Sequence, residues 1–103
     1  MFNRTPLRLI ERRLLTPDVL QLVFEHAGAA PLPFKPGQFV QVFFHDPHGV
    51  EQKRSFSLAN PPGPENRTGR WELLINLLPD GLASRFLRQL PIGSTLEGAG
   101  PFG

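Results

Sequence analysis

The stretch Arg54-Ser55-Phe56-Ser57-Leu58-Ala59-Asn60 sets a cation, a flat apolar ring and two hydroxyls in four consecutive positions, and Pro61-Pro62-Gly63 closes it with a turn. A strand that only filled a core would draw on Val, Ile and Leu. On extended backbone, Arg54 and Phe56 project to one side and Ser55 and Ser57 to the other, an alternation that a bulge or barrel bend relaxes. A guanidinium can grip phosphate oxygens through two parallel hydrogen bonds. A ring two residues on can lie flat against a π face. A hydroxyl can donate or accept as a ring nitrogen changes its protonation. The four residues therefore suit a ligand with phosphate at one end and an aromatic heterocycle at the other. Taken alone they suit at least as well an ordinary strand with a surface arginine and a core phenylalanine, so their surroundings must decide.

Outward from this strand the chain reads as short β-segments. Leu7 to Leu15 is apolar at both ends and basic in the middle, which predicts a strand with a bulge. Thr16-Pro17-Asp18 turns the chain into Val19 to Phe24, where Leu20, Leu22 and Phe24 share one face at period two. Ala27 to Pro33 is a loop and Lys35-Pro36-Gly37 a second turn before the apolar strand Phe39 to Phe44. His45 to Gly49 is a hairpin tip; its two histidines and one aspartate lack a third and fourth metal ligand, which favours turn chemistry. Glu51 to Asn60 is the opening strand, followed by a polar loop over Pro61 to Gly69 and a strand over Trp71 to Leu78. After Pro79-Asp80-Gly81, apolar Leu82, Phe86, Leu87 and Leu90 recur at helical spacing, with Arg85 and Arg88 off that face. Pro91 and Gly93 end this short helix, and Thr95 to Glu97 makes a last strand. Short connections imply antiparallel neighbours. The expected fold is all-β, a closed six-stranded antiparallel Greek-key β-barrel with one short α-helix between the last two strands.

Two further stretches could bear on a ligand. In Asp80-Gly81-Leu82-Ala83-Ser84 a glycine stands where the helix begins. Helix starts expose unpaired N–H groups and attract phosphate, and glycine permits close approach. The plain alternative is a helix N-cap with Asp80 as the capping residue, whose carboxylate would oppose an anion there. The second stretch is the terminal Gly98-Ala99-Gly100-Pro101-Phe102-Gly103, which on its own is a glycine-rich tail.

Composition narrows the function classes. A length of 103 residues suits one small domain, and twelve prolines with ten glycines disfavour long helices. The absence of cysteine excludes disulfides, thiolate metal sites and thiol catalysis within these residues, and fits a reducing compartment. No apolar run reaches a membrane span of about 18 residues, and the start lacks the apolar stretch of a secretory signal, so the expected location is cytoplasmic. Arg4, Arg8, Arg12 and Arg13 cluster near the start and raise nucleic acid as a partner, but no aromatic residues interleave with them, so a solvated strand face is preferred.

The order Arg54-Ser55-Phe56-Ser57, Gly81-Leu82-Ala83-Ser84, Gly100-Pro101-Phe102-Gly103, with the lead-in Phe34-Lys35-Pro36-Gly37-Gln38-Phe39-Val40, resembles the FAD-binding domain of the ferredoxin–NADP reductase superfamily. The likeness spans nearly the whole chain. It implies that Arg54 binds the FAD pyrophosphate, that Phe56 packs against the isoalloxazine ring, and that Ser57, the candidate catalytic residue, hydrogen-bonds near flavin N5. Ser55 shares that strand, and the backbone at Leu58 and Ala59 would line the cofactor. Gly81, Leu82, Ala83 and Ser84 would cap the pyrophosphate at the helix start, with adenine contacts expected from the loop over Pro61 to Gly69. The resemblance implies a flavin domain over residues 1–100, with residues 101–103 opening the hinge to a nucleotide-binding domain. Phe56 stands where the family more often has Tyr, which removes one hydrogen bond worth about 0.5–1.5 kcal/mol. The expected function is an NAD(P)H-dependent oxidoreductase that passes hydride to the flavin and electrons to an acceptor protein or domain. NAD(P)H would dock on a part not included in these residues, so the chain is expected to be a fragment or one module of a split reductase. The competing expectations are a non-enzymatic barrel that binds nucleic acid or protein, and a barrel that has lost its cofactor.

Overall fold

The computed structural model describes residues 4–26, 37–59 and 70–103. Along the chain run β1 (Thr5–Thr16), β2 (Val19–His26), β3 (Phe39–His45), β4 (Glu51–Ser57), β5 (Arg70–Asn76), α1 (Leu82–Gln89) and β6 (Thr95–Phe102). They form one sheet in the order β4-β3-β6-β1-β2-β5, with antiparallel pairing throughout. The last strand thus returns between the first and third, a Greek-key connection. The loops at 27–33 and 61–69, and the lead-in before Gly37, lie outside the described residues.

Period-two patterning places the core. Leu20, Leu22 and Phe24 of β2, Val40, Val42 and Phe44 of β3, and Trp71, Leu73 and Ile75 of β5 are all buried. Leu7 and Leu9 join them from β1, and Leu87 and Leu90 close one end from α1 and its C-cap. Each such side chain stabilises the fold by about 1.5–3 kcal/mol on burial. The bulge expected in β1 is present: pairing with β2 shifts between Leu9 and Glu11, and again between Leu14 and Thr16. Beyond the first shift, β1 carries its side chains into solvent from Glu11 to Thr16.

Two expectations are corrected. The barrel is not closed by a continuous ladder. The sheet curls until its outer strands meet through one isolated bridge, Leu58 to Leu73, beside a 2.8 Å bond from Ala59 N–H to the Glu72 carbonyl. Over its own length β4 pairs only with β3. The last strand is also longer than the reading Thr95 to Glu97. β6 continues through Phe102, pairing Ala99 with Gln41 and Phe102 with Phe39. Glycine there is not punctuation but clearance, since a Cβ at Gly98 would sit 2.5 Å from Leu7 Cδ1. Gly100, at φ +121°, brings the backbone against the Phe39 carbonyl.

Polar residues fasten this frame. Arg4 donates to both carboxylate oxygens of Glu51 at 2.8 and 2.7 Å and lies 3.8 Å over the Phe43 ring. Arg8 pairs with Glu25, and Arg12 donates to the Leu90 carbonyl at the end of α1. Three of the four N-terminal arginines therefore have intramolecular partners, which leaves little for a nucleic acid. At the hairpin tip, Asp46 Oδ1 accepts from the N–H groups of His48 and Val50, and Oδ2 accepts from Gln52 Nε2. The Val50 bond is the main cause that holds its carboxyl below the ordinary range. No helix among the described residues is long and apolar enough to cross a membrane.

At the far end of β2, His26 meets Trp71 edge to face at 4.9 Å, and the buried His26 Nε2 and Trp71 Nε1 have no hydrogen-bond partner among the described residues. Burial lowers the imidazole pKa from its ordinary value of about 6.5. The unfolded chain then takes up this proton first as pH falls. The His26 contribution is complete above about pH 6.5 and is lost as pH falls through the lower native value. Thermal melts from pH 7 to pH 5 should show Tm declining in the native chain and declining less in His26→Gln; equal slopes would remove His26 as the cause. Separately, Gly98→Ala should destabilise the fold by about 1–3 kcal/mol in urea unfolding, the usual cost of overpacking a core.

Candidate cofactor site

The site is built on β4, whose side chains alternate between solvent and a half-buried row of Gln52, Arg54 and Phe56. Ser55 and Ser57 stand exposed on the opposite face, as the period-two reading expects. Register with β3 sets Phe56 opposite Val40, Arg54 opposite Val42 and Gln52 opposite Phe44. Phe56 leans on the core and keeps part of its ring accessible. Arg54 donates to the neighbouring Lys53 carbonyl at 2.8 Å, and its guanidinium lies 5.8 Å from the Phe44 ring centroid. No carboxylate among the described residues pairs with it.

Phe44 was legible only as a core residue, yet it links the two halves of the site. Its ring stacks on Phe86 of α1 at 4.7 Å and 22°. An aromatic bridge thus joins the arginine on β4 to the helix. A signal was present: counting back from the hairpin tip pairs His45 with Glu51 and therefore Phe44 with Gln52, beside Arg54.

The helix start differs from the plain capping alternative. Gly81, not Asp80, is the N-cap, with φ −71° and ψ 131°, no side chain bonds to the cap, and the first turn holds no acidic residue. The first N–H groups of a helix have no partner within it, and those of Leu82 and Ala83 have none outside it among the described residues. They carry the positive end of the helix dipole. Ser84 is buried, and its Oγ accepts the Leu78 N–H at 2.9 Å. Gly81 N–H in turn donates to the Leu78 carbonyl at 3.1 Å. A Cβ at Gly81 would come within 3.1 Å of both Leu78 Cβ and Ser84 Oγ. The glycine and serine of this motif therefore fold the entry turn tightly. The hydroxyl already accepts one bond inside the protein, which leaves its proton and one lone pair to offer.

Leu58 and Ala59 are similarly committed: their N–H groups donate to the Gln38 carbonyl at 3.1 Å and the Glu72 carbonyl at 2.8 Å. They fasten the barrel seam beside Ser57 and have no backbone donor left for a ligand.

Two hollows flank the Phe44–Phe86 pair. One of about 280 Å³ is lined by Phe44, His45, Leu82, Arg85, Phe86 and Gln89, among others. The other, about 300 Å³, is walled by Phe43, Glu51, Thr95 and Glu97 as well as the shared rings. Arg54, Phe56 and Ser57 line neither. The donor set fits a flavin diphosphate: a cation without a carboxylate, an uncapped helix start without an acid, an accessible ring, and exposed hydroxyls. Among the described residues, no group of three His, Asp or Glu side chains could hold a metal ion.

The chain matches the family model described as the oxidoreductase FAD-binding domain over residues 6–103. It belongs to that family. It is 35% identical over 96 residues to ferredoxin–NADP reductase B of Sorangium cellulosum, covering 93% of this chain and 38% of that protein. It is 39% identical over 74 residues to the reductase component of phenol 2-monooxygenase from Pseudomonas sp., covering 71% of this chain and 19% of that one. Among solved structures, flavohemoglobin from Malassezia yamatoensis, with bound FAD and heme, superposes with a TM-score of 0.85 at 30% identity, over 97% of this chain and 25% of that one. The chain therefore spans well under half the length of these relatives. FAD is the cofactor of the family, and the FAD-binding reading of the sequence is supported by both comparisons.

Replacing Ser84 by Ala should lower stability by about 0.5–1.5 kcal/mol, the worth of one hydrogen bond, in urea unfolding without flavin. Ser57→Ala, on the exposed face, should change it by less than about 0.5 kcal/mol. The reverse ranking would contradict the inward role of Ser84.

Proposed function

We propose that this chain holds and orients FAD for an NAD(P)H-dependent oxidoreductase. When bound, FAD supplies hydride acceptance and onward electron transfer at its isoalloxazine ring. The protein's own residues position it. Arg54 grips the diphosphate from β4 while the N–H groups of Leu82 and Ala83 meet it from α1. Gly81 and Ser84 keep that helix start in place. Phe56 offers its ring as a platform, and Ser57, the catalytic residue of this reading, sets a hydroxyl near N5 that can donate or accept as the proton there changes. Ser55 lies on the same exposed face as Ser57, and Leu58 and Ala59 hold the end of the strand.

NAD(P)H is the reductant in this reading, docked on a domain that residues 101–103 lead into, with residues 1–100 as the flavin domain. The acceptor is a protein or domain, as the names of the monooxygenase reductase relatives suggest. We assign the protein to the cytoplasm, where a reductase with this cysteine-free flavin domain would meet its nicotinamide donor.

One observation carries the proposal: a guanidinium without a carboxylate partner among the described residues, on the same strand face as an accessible ring and linked by stacked rings to an uncapped helix start. Charge-assisted hydrogen bonds contribute about 1.5–3 kcal/mol. Arg54→Ala should therefore raise the Kd for FAD about tenfold to a hundredfold in fluorescence titrations. Arg8→Ala, which removes an ion pair with Glu25, should leave it unchanged. Equal FAD affinity in the two variants would refute the phosphate role.

A further inference from the structure

The residues of β1 from Glu11 to Thr16 are all exposed. They pair with β2 along one edge. Along the other edge, β6 reaches only to Arg8. Leu9 is then bonded to the turn before β6: its N–H donates to the Ser94 carbonyl at 2.9 Å, and its carbonyl accepts the Gly93 N–H at 2.7 Å. Beyond Leu9, no strand among the described residues lies against this edge. The direction of its backbone groups follows from the neighbouring strands. The Glu72 carbonyl points to Ala59, away from β2. Val23, opposite Glu72, therefore turns its own N–H and C=O toward Glu11 of β1. The alternation along β1 then turns the N–H and C=O of Arg12 and Leu14 outward. Such a row of outward groups is a template for a further strand.

We propose that this edge pairs with the same edge of a second copy of the chain, as an antiparallel dimer with its two-fold axis at Arg12. Only outward groups can bond across the edge, so the axis can lie at Arg12, Arg13 or Leu14. The side chains decide among the three. Glu11 and Arg13 share the face of β1 that lies beside Val23 and Gln21. Both are exposed, and neither makes an ion pair among the described residues. With the axis at Arg12, each Glu11 stands directly opposite Arg13 of the other copy, and two cross-strand ion pairs form. With the axis at Arg13, the two Arg13 side chains oppose each other. With the axis at Leu14, Arg13 meets Leu15 and both charges stay unpaired. The two Arg12 side chains face each other in the favoured register, but each guanidinium is drawn aside to the Leu90 carbonyl of its own copy. The pairing also brings Leu14, 59% exposed, against the other copy. The edge thus carries its own complement, whereas a uniformly acidic strand would pair Arg13 and oppose Glu11.

The test is sedimentation equilibrium of the 103-residue chain from about 10 μM to about 1 mM, a range suited to a small interface. The native chain should show a monomer–dimer equilibrium that weakens as salt rises. Glu11→Arg and Arg13→Glu should each weaken the dimer at least about tenfold, because either change sets like charges opposite each other at both pairs. An equimolar mixture of the two variants should regain native-strength association, since in the mixed dimer every position 11 again faces an opposite charge at position 13. Circular dichroism melts identify a single variant that fails to fold. The double variant Glu11→Arg/Arg13→Glu, which restores both pairs and should dimerise like the native chain, then decides. A native chain that stays monomeric across the range would overturn the proposal. Single variants that associate like the native chain would place any dimer on another face. A mixture that associates no better than its components, or a folded double variant that stays monomeric, would remove the register.

Discussion

An arginine with no carboxylate partner among the described residues is the constraint from which the site follows. Of the other arginines near this sheet, Arg4 and Arg8 are tied to glutamates and Arg12 to the Leu90 carbonyl. Among the described residues, Arg54 has the Lys53 carbonyl and the face of Phe44. A guanidinium so placed is partly withdrawn from water without an anion in return, and it lies on the face of β4 that also shows the Phe56 ring. The opposing helix start has the matching deficiency, with amide donors but no side-chain cap and no acid in its first turn. Each element lacks what a diphosphate would bring to both. The Phe44–Phe86 stack fixes their relation, because the ring beneath the arginine is also the ring against the helix.

The incomplete barrel serves the same end. A fully laddered sixth seam would bury the free edge of β4 under β5. Here, among the described residues, the pairing between them is one bridge, Leu58 to Leu73, just past Ser57. The seam is fastened at the ring end of the site, and among the described residues no strand ladder continues it along Arg54 and Gln52. The rigidity comes from elsewhere: β6 threads between β1 and β3, and Gly98 and Gly100 let its backbone pass close to Leu7 and Phe39.

Much of this was legible in the residues. The alternation of Leu20, Leu22 and Phe24 gave both strand and face, and the opposed pairs Arg54/Phe56 and Ser55/Ser57 followed from period two alone. The Gly81-to-Ser84 turn was legible as a helix start. What escaped depended on contacts across the fold. The glycines of β6 look like punctuation locally, and only the proximity of Leu7 shows them to be clearance. Ser84 looks like an exposed hydroxyl on a helical wheel until the Leu78 N–H claims it. Phe44 looks like core because hydrophobicity does not report what lies beyond its ring. Arg4 finds Glu51 across 47 residues, a distance over which no local pattern carries information.

The central claim is that the β4 cation and the α1 amides hold one diphosphate together. The most direct measurement is a ¹⁵N-resolved NMR titration of the 103-residue chain with FAD, following the backbone amides of Leu82 and Ala83 and the Nε–H of Arg54. The account predicts that all three shift along a single binding curve. Shifts confined to one element, or centred on the arginines of β1, would contradict it.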